Sequence, residues 1–139
     1  MKLSARNQLP GIVTKIADGA VNGIVTLDMN GTPVTATISL AAIRELGLEP
    51  GKKAYAVIKA TEVMVGLGDH LTLSARNQFP GKVMSVERGA VNSIVRMSVL
   101  KGLTVSATIS NNAVDELGLE SGKEALAVIK ATSVMIGID

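Results

Sequence analysis

The chain has 139 residues, 47% of them apolar and 19% charged, with a formal net charge of +2. That composition supplies packed cores and excludes a disordered chain, while two excess positive charges are too few for a nucleic-acid coat. Cysteine is absent and histidine occurs once, which excludes disulfides, thiolate chemistry and a His-based zinc site. Tyr55 and Phe79 are the only aromatic residues, so a platform for stacking bases or sugars lacks its rings. The opening MKLSARNQLPG is polar where a secretory signal needs an apolar run, and no apolar segment of about 18 residues follows. A cytoplasmic protein without membrane association is expected.

In chain order, Pro10-Gly11 punctuates the opening. The run from Ile12 to Met29 supplies two β-branched strands split by Asp18-Gly19, a hairpin signal. Val34–Ser39 alternates and predicts a third strand. Leu40–Leu46 reads as a short helix, with Ser39 as N-cap and Gly47 just past its end. Pro50-Gly51 is a turn and Lys52-Lys53 a solvated one. Two further strands follow in KAYAVIKA and TEVMVGL; Lys59 interrupts the first on a half-buried face, and Met64 fills core.

The chain then writes the same unit again. LSARNQ at Leu3–Gln8 returns at Leu73–Gln78, GAVN at Gly19–Asn22 returns at Gly89–Asn92, and AVIKAT at Ala56–Thr61 returns at Ala127–Thr132. More than half of the aligned positions are identical, and the second copy gains one residue near Gly31. Two copies are too few for a solenoid, so the reading is two small domains, 1–68 and 69–139, joined by GDHLT. The fold class is all-β: two tandem OB-like small β-barrels, each with one short helix. Met135, like Met64, is assigned to the core. His70, in the linker, has no counterpart and no assigned role.

The polar residues kept in both copies have a common character. Ser4/Ser74, Arg6/Arg76, Asn7/Asn77, Gln8/Gln78, Asn22/Asn92, Thr37/Thr108, Ser39/Ser110, Lys59/Lys130 and Thr61/Thr132 are hydroxyls, amides, guanidinium and ammonium groups. No kept carboxylate stands beside a kept Ser or Lys as a general base would. Donors without a base, a nucleophile or a metal ligand suit an anion receptor rather than an enzyme. The bland alternative makes Arg6 and Lys59 solvated charges and SARN a self-capping turn.

SARNQ at each repeat start, GAVN in the first hairpin and VIKAT before the last strand resemble the molbindin (Mop) domain, over both copies end to end. The resemblance implies cytoplasmic binding and storage of molybdate or tungstate by a homotrimer, with no organic cofactor. It implies oxyanion contacts at Ser4, Ala5, Arg6, Asn7, Ser39, Lys59 and Ala60, with Thr61 beside them. In the second copy these are Ser74, Ala75, Arg76, Asn77, Ser110, Lys130, Ala131 and Thr132. A second site type would use the hairpin backbone of Gly19, Ala20, Val21 and Asn22, and of Gly89, Ala90, Val91 and Asn92. Related regulators carry a helix-turn-helix ahead of such domains. This chain begins at the first repeat, so no nucleic-acid partner is expected. The competing reading is an OB-fold binding module for nucleic acid or a protein partner.

Overall fold

A computed structural model describes residues 1–99 and 101–139. The first repeat forms β1 (Asn7–Asp18), β2 (Asn22–Met29), β3 (Thr32–Ser39), α1 (Leu40–Glu45), β4 (Lys53–Ile58), a 3₁₀ turn (Ala60–Glu62) and β5 (Met64–Gly66). The second forms β6 (Asn77–Arg88), β7 (Asn92–Ser98), β8 (Thr104–Ser110), α2 (Asn111–Leu117), β9 (Glu124–Ile129), a 3₁₀ turn (Ala131–Ser133) and β10 (Met135–Gly137). These make two five-stranded antiparallel sheets, in the orders β10-β4-β1-β2-β3 and β5-β9-β6-β7-β8. The mostly-β, OB-like fold with short helices is as the sequence predicts.

The last strand of each repeat leaves it. β10 pairs with β4 in register Ile136↔Ala56, and β5 pairs with β9 in register Val65↔Ala127. The compact units are therefore 1–58 with 130–139, and 59–129. The sequence division at 68/69 marks the repeat, not the packing. Repetition in sequence cannot tell whether a fifth strand joins β4 or β9, because the two offer closely similar edges.

Within unit 1 the two-residue period decides the core. Val25, Leu27 and Met29 are buried, while Ile24, Thr26 and Asp28 between them are half-exposed. The edge strands β3 and β10 approach each other, curling the sheet toward a barrel, as β5 and β8 do in unit 2. Asn30-Gly31, both with positive φ, close the β2–β3 hairpin between the paired Met29 and Thr32. Pro10-Gly11 does not precede the first strand but lies inside it. Pro10 is tolerated there because residues 7–11 of β1 pair on one side only, with β4. A bulge between Val13 and Lys15, repeated between Val83 and Ser85, bends the long strand so that it serves β4 and then β2.

α1 begins and ends as the sequence predicts: Ser39 caps it, and Gly47 follows with φ 60°. Lys52 is not a solvated turn residue, because its Nζ donates to the Leu46 carbonyl at 2.9 Å, beyond the helix end. Met64 and Met135 are not core. They are 42% and 43% exposed, because in a three-residue edge strand the inward positions fall to their neighbours Val63 and Val134.

Candidate functional site

Ser39 ends β3 and opens α1. Its Oγ accepts the Ala42 N–H at 3.1 Å, and Ser110 does the same for Ala113 at 3.1 Å. A hydroxyl has one proton and two acceptor positions, so a cap of this kind leaves the proton to be donated elsewhere. Both serines are exposed.

The SARN segments lead into β1 and β6. Ser4, Arg6, Ser74 and Arg76 are exposed, Ala5 is half-buried and Ala75 buried. Gln8 closes the first turn by donating Nε2 to the Ala5 carbonyl at 3.2 Å, and Gln78 matches it on Ala75 at 3.3 Å. Asn7 and Asn77 are buried, each only 2% exposed. Asn7 Nδ2 donates to the Ile58 carbonyl at 3.1 Å, so this amide is a strut from the start of β1 to the end of β4.

Lys59 does not interrupt a strand. β4 stops at Ile58, and Lys59 is exposed at the head of the 3₁₀ turn, its side chain making no cap bond. Its carbonyl accepts the Glu62 N–H at 2.9 Å, and Lys130 repeats this with Ser133 at 2.9 Å. Ala60 and Ala131 are buried, and Thr61 and Thr132 are exposed. The leading N–H groups of a helical turn have no partner within it, which leaves those of Ala60 and Thr61 available to another acceptor.

The GAVN hairpins are tied down at both ends. Gly19 N–H donates to Asn22 O at 2.8 Å, and Leu40 N–H to Val21 O at 3.0 Å. Gly89 and Asn111 do the same with Asn92 and Val91, each at 2.9 Å. Asn111 adds a brace that the sequence reading missed, donating Nδ2 to Gly89 O at 3.0 Å and accepting from buried Ser93 at 2.6 Å. The first copy has Leu40 at that position, so the repeat carried no signal for it. Ala20, Val21, Asn22 and their counterparts Ala90, Val91 and Asn92 are all exposed.

The strand exchange regroups these residues. Unit 1 holds Ser4–Asn7, Gly19–Asn22 and Ser39 together with Lys130, Ala131 and Thr132; unit 2 holds Lys59, Ala60 and Thr61 with Ser74–Asn77, Gly89–Asn92 and Ser110. The 3₁₀ turn 131–133 packs against β3, which Ser39 ends, and the turn 60–62 packs against β8. Grouping by repeat put Lys59 with Ser39. Packing puts Lys130 in that unit, while Asn7 holds the carbonyl of the residue just before Lys59. Among the described residues, no three His, Asp or Glu side chains converge where they could hold a metal ion. No helix among them is long and apolar enough to cross a membrane.

Comparison with known proteins bears on this donor set. The TOBE domain model matches residues 3–65 and again 73–136. The chain belongs to the TOBE-domain family. The molbindin resemblance therefore stands, in two tandem copies. The molybdenum transport protein ModE of Herbaspirillum seropedicae is 41% identical over 141 residues, covering 99% of this chain and 52% of that protein. The molybdenum-pterin-binding protein MopA of Rhodobacter capsulatus is 36% identical over 140 residues, 99% of this chain and 53% of its own length. The chain thus spans about half the length of these relatives. Among solved structures, the cytoplasmic molybdate-binding protein ModG with molybdate bound superimposes with a TM-score of 0.96, at 39% identity and over 100% of both chains.

Proposed function

We propose that this tandem TOBE chain binds molybdate or tungstate as intact dianions, for storage or homeostasis in the cytoplasm, with no organic cofactor and no chemical step. The observation that carries the reading is the end-to-end likeness to a molybdate-bound protein at 39% identity. Arg6, Arg76, Lys59 and Lys130 supply positive charge, Ser39 and Ser110 supply hydroxyl protons, and the SARN and 3₁₀ turns supply backbone N–H groups. Such a set donates and offers few acceptors. Molybdate keeps no proton near neutrality, whereas phosphate does, and that unmet proton costs about 1–3 kcal/mol. Sulfate carries no proton and is rejected only by its smaller radius.

The same reading makes the protein a homotrimer. Val21 and Val91, at equivalent hairpin tips, are 74% and 72% exposed, and Leu3 and Leu73 are exposed as a second matched pair. Apolar residues exposed at the same positions in both units suit burial against further copies. The test is elemental analysis of protein purified from molybdate-supplied cells, with titration calorimetry and light scattering. Bound molybdenum and a trimer are expected. Failure to take up either oxyanion overturns the binding reading, and a stable monomer overturns the assembly.

A further inference from the structure

The chain passes between the units twice, and each passage follows a buried isoleucine. Ile58 ends β4 and is the last residue of unit 1 before Lys59 enters unit 2. Ile129 ends β9 and is the last residue of unit 2 before Lys130 returns to unit 1. Each isoleucine is paired across the ladder with the asparagine that opens a long strand, Asn7 with Ile58 and Asn77 with Ile129. Both isoleucines are fully buried, and both asparagines are only 2% exposed. Burying an amide costs free energy unless it is hydrogen-bonded, so a buried asparagine at the same place in both copies calls for a physical reason.

The bond that Asn7 makes supplies one. Its Nδ2 donates to the Ile58 carbonyl at 3.1 Å. That carbonyl and the Lys59 N–H belong to one planar peptide unit, so holding the oxygen also fixes the direction of the N–H and the place of the Lys59 Cα. The next turn is built from Lys59. Its carbonyl accepts the Glu62 N–H at 2.9 Å, and the turn Ala60–Glu62 packs on β8, which ends at Ser110. An amide anchored in unit 1 thereby orients a lysine and the leading N–H groups that belong to the donor set of unit 2. A side chain so deeply buried acts through the backbone it holds.

We propose that Asn7 and Asn77 are positioning residues that work across the strand exchange. Asn7, a residue of unit 1, sets the Lys59 turn of unit 2, and Asn77, a residue of unit 2, sets the Lys130 turn of unit 1. Their effect on oxyanion affinity rests on the oxyanion reading, whereas their effect on the turns does not. A local role, in which Asn7 serves the oxyanion through its own Ser4–Asn7 segment, places its effect in the opposite unit.

The test compares Asn7→Ala and Asn77→Ala in the full chain, first by hydrogen exchange without oxyanion. Asn7→Ala is expected to speed exchange of the Glu62 N–H at least about tenfold more than that of the Ser133 N–H, which donates to Lys130 O in the matching turn. Asn77→Ala is expected to reverse that ratio. Equal acceleration at both turns, as a general loss of stability gives, or acceleration at neither overturns the proposal. Where alanine leaves too little folded chain, Asn7→Gln and Asn77→Gln keep the amide but displace it by one methylene, and are read in the same way. Molybdate is then titrated calorimetrically into chains that carry one lysine change. In the Lys130→Ala chain, which keeps the Lys59 set, Asn7→Ala weakens binding at least about tenfold more than in the Lys59→Ala chain, which keeps the Lys130 set. The opposite ranking, or equal losses, makes Asn7 a residue of its own unit's site and overturns the proposal. A parent chain that takes up no molybdate removes the oxyanion reading, and the exchange ratio then decides the positioning role by itself.

Discussion

Arg88 and Asp115 are joined by a two-pronged ion pair, Nη1 to Oδ1 at 2.8 Å and Nη2 to Oδ2 at 2.9 Å, linking the end of β6 to α2. The equivalent positions in unit 1 are Asp18 and Arg44, the same two charges exchanged. The Arg88 hydrogen bond lowers the Asp115 pKa below 3.8, and the Asp115 carboxylate raises that of Arg88. A carboxyl whose folded pKa is depressed stabilises the fold fully above its unfolded value and loses that contribution as pH falls through the folded one. Unfolding measured from pH 5 downward should therefore show wild type losing more stability than Asp115→Asn below about pH 4. Parallel curves would show the pair to be energetically silent, as many exposed pairs are.

Tyr55 Oη donates to Asp139 at 2.9 Å, and this bond, followed by the carboxylate's charge, raises the phenol above 10.0. Because the chain has one tyrosine, phenolate absorbance reports this residue alone. Asp139→Asn should move the midpoint back toward 10.0. The raised value means the contact stabilises fully below pH 10.0 and is lost as pH rises through the folded pKa.

Gly23 packs where a Cβ would come within 2.5 Å of Ile43 Cδ1 on α1. Unit 2 has Ser93 and the shorter Val114 at these positions, both buried. Gly23→Ser alone should cost about 1–3 kcal/mol through overpacking. Adding Ile43→Val should return most of it, a coupling that denaturant unfolding of the single and double variants reads directly.

Lys59→Ala and Lys130→Ala each remove an exposed ammonium from the proposed donor set. Each should weaken oxyanion binding at its own site by about ten- to a hundredfold, the loss of a charge-assisted bond of roughly 1.5–3 kcal/mol. The melting temperature without ligand should barely change, since neither side chain is buried. Wild-type affinity at every site in both variants would remove these lysines from the assignment.

The strand exchange has its own signature. Ile136→Pro puts a rigid ring opposite Ala56 in the short strand β10, which belongs to the second repeat in sequence but to the sheet of unit 1 in space. Hydrogen exchange should speed up at Tyr55–Val57, its ladder partners, before Leu126–Val128. Val65→Pro in β5 should give the opposite order.

Much of this protein was legible locally. Ser39 before an apolar helical run and Gly47 after it specify a capped helix wherever the chain goes, because a side-chain oxygen and a left-handed glycine act on their own neighbours. The alternation in β2 likewise names its buried face without reference to a partner. The kept donors of SARNQ and VIKAT were visible because a duplicated chain compares itself with itself. Tertiary structure alone decided which donors share a unit. Lys59 follows Ser39 in the same repeat, yet Lys130 is the one brought into its unit, since β5 and β10 find closely similar strand edges in either copy and only long-range packing selects one. Burial at the edge was equally nonlocal: Met64 and Met135 read as core because they fall in apolar strands, and a three-residue outer strand leaves them facing out.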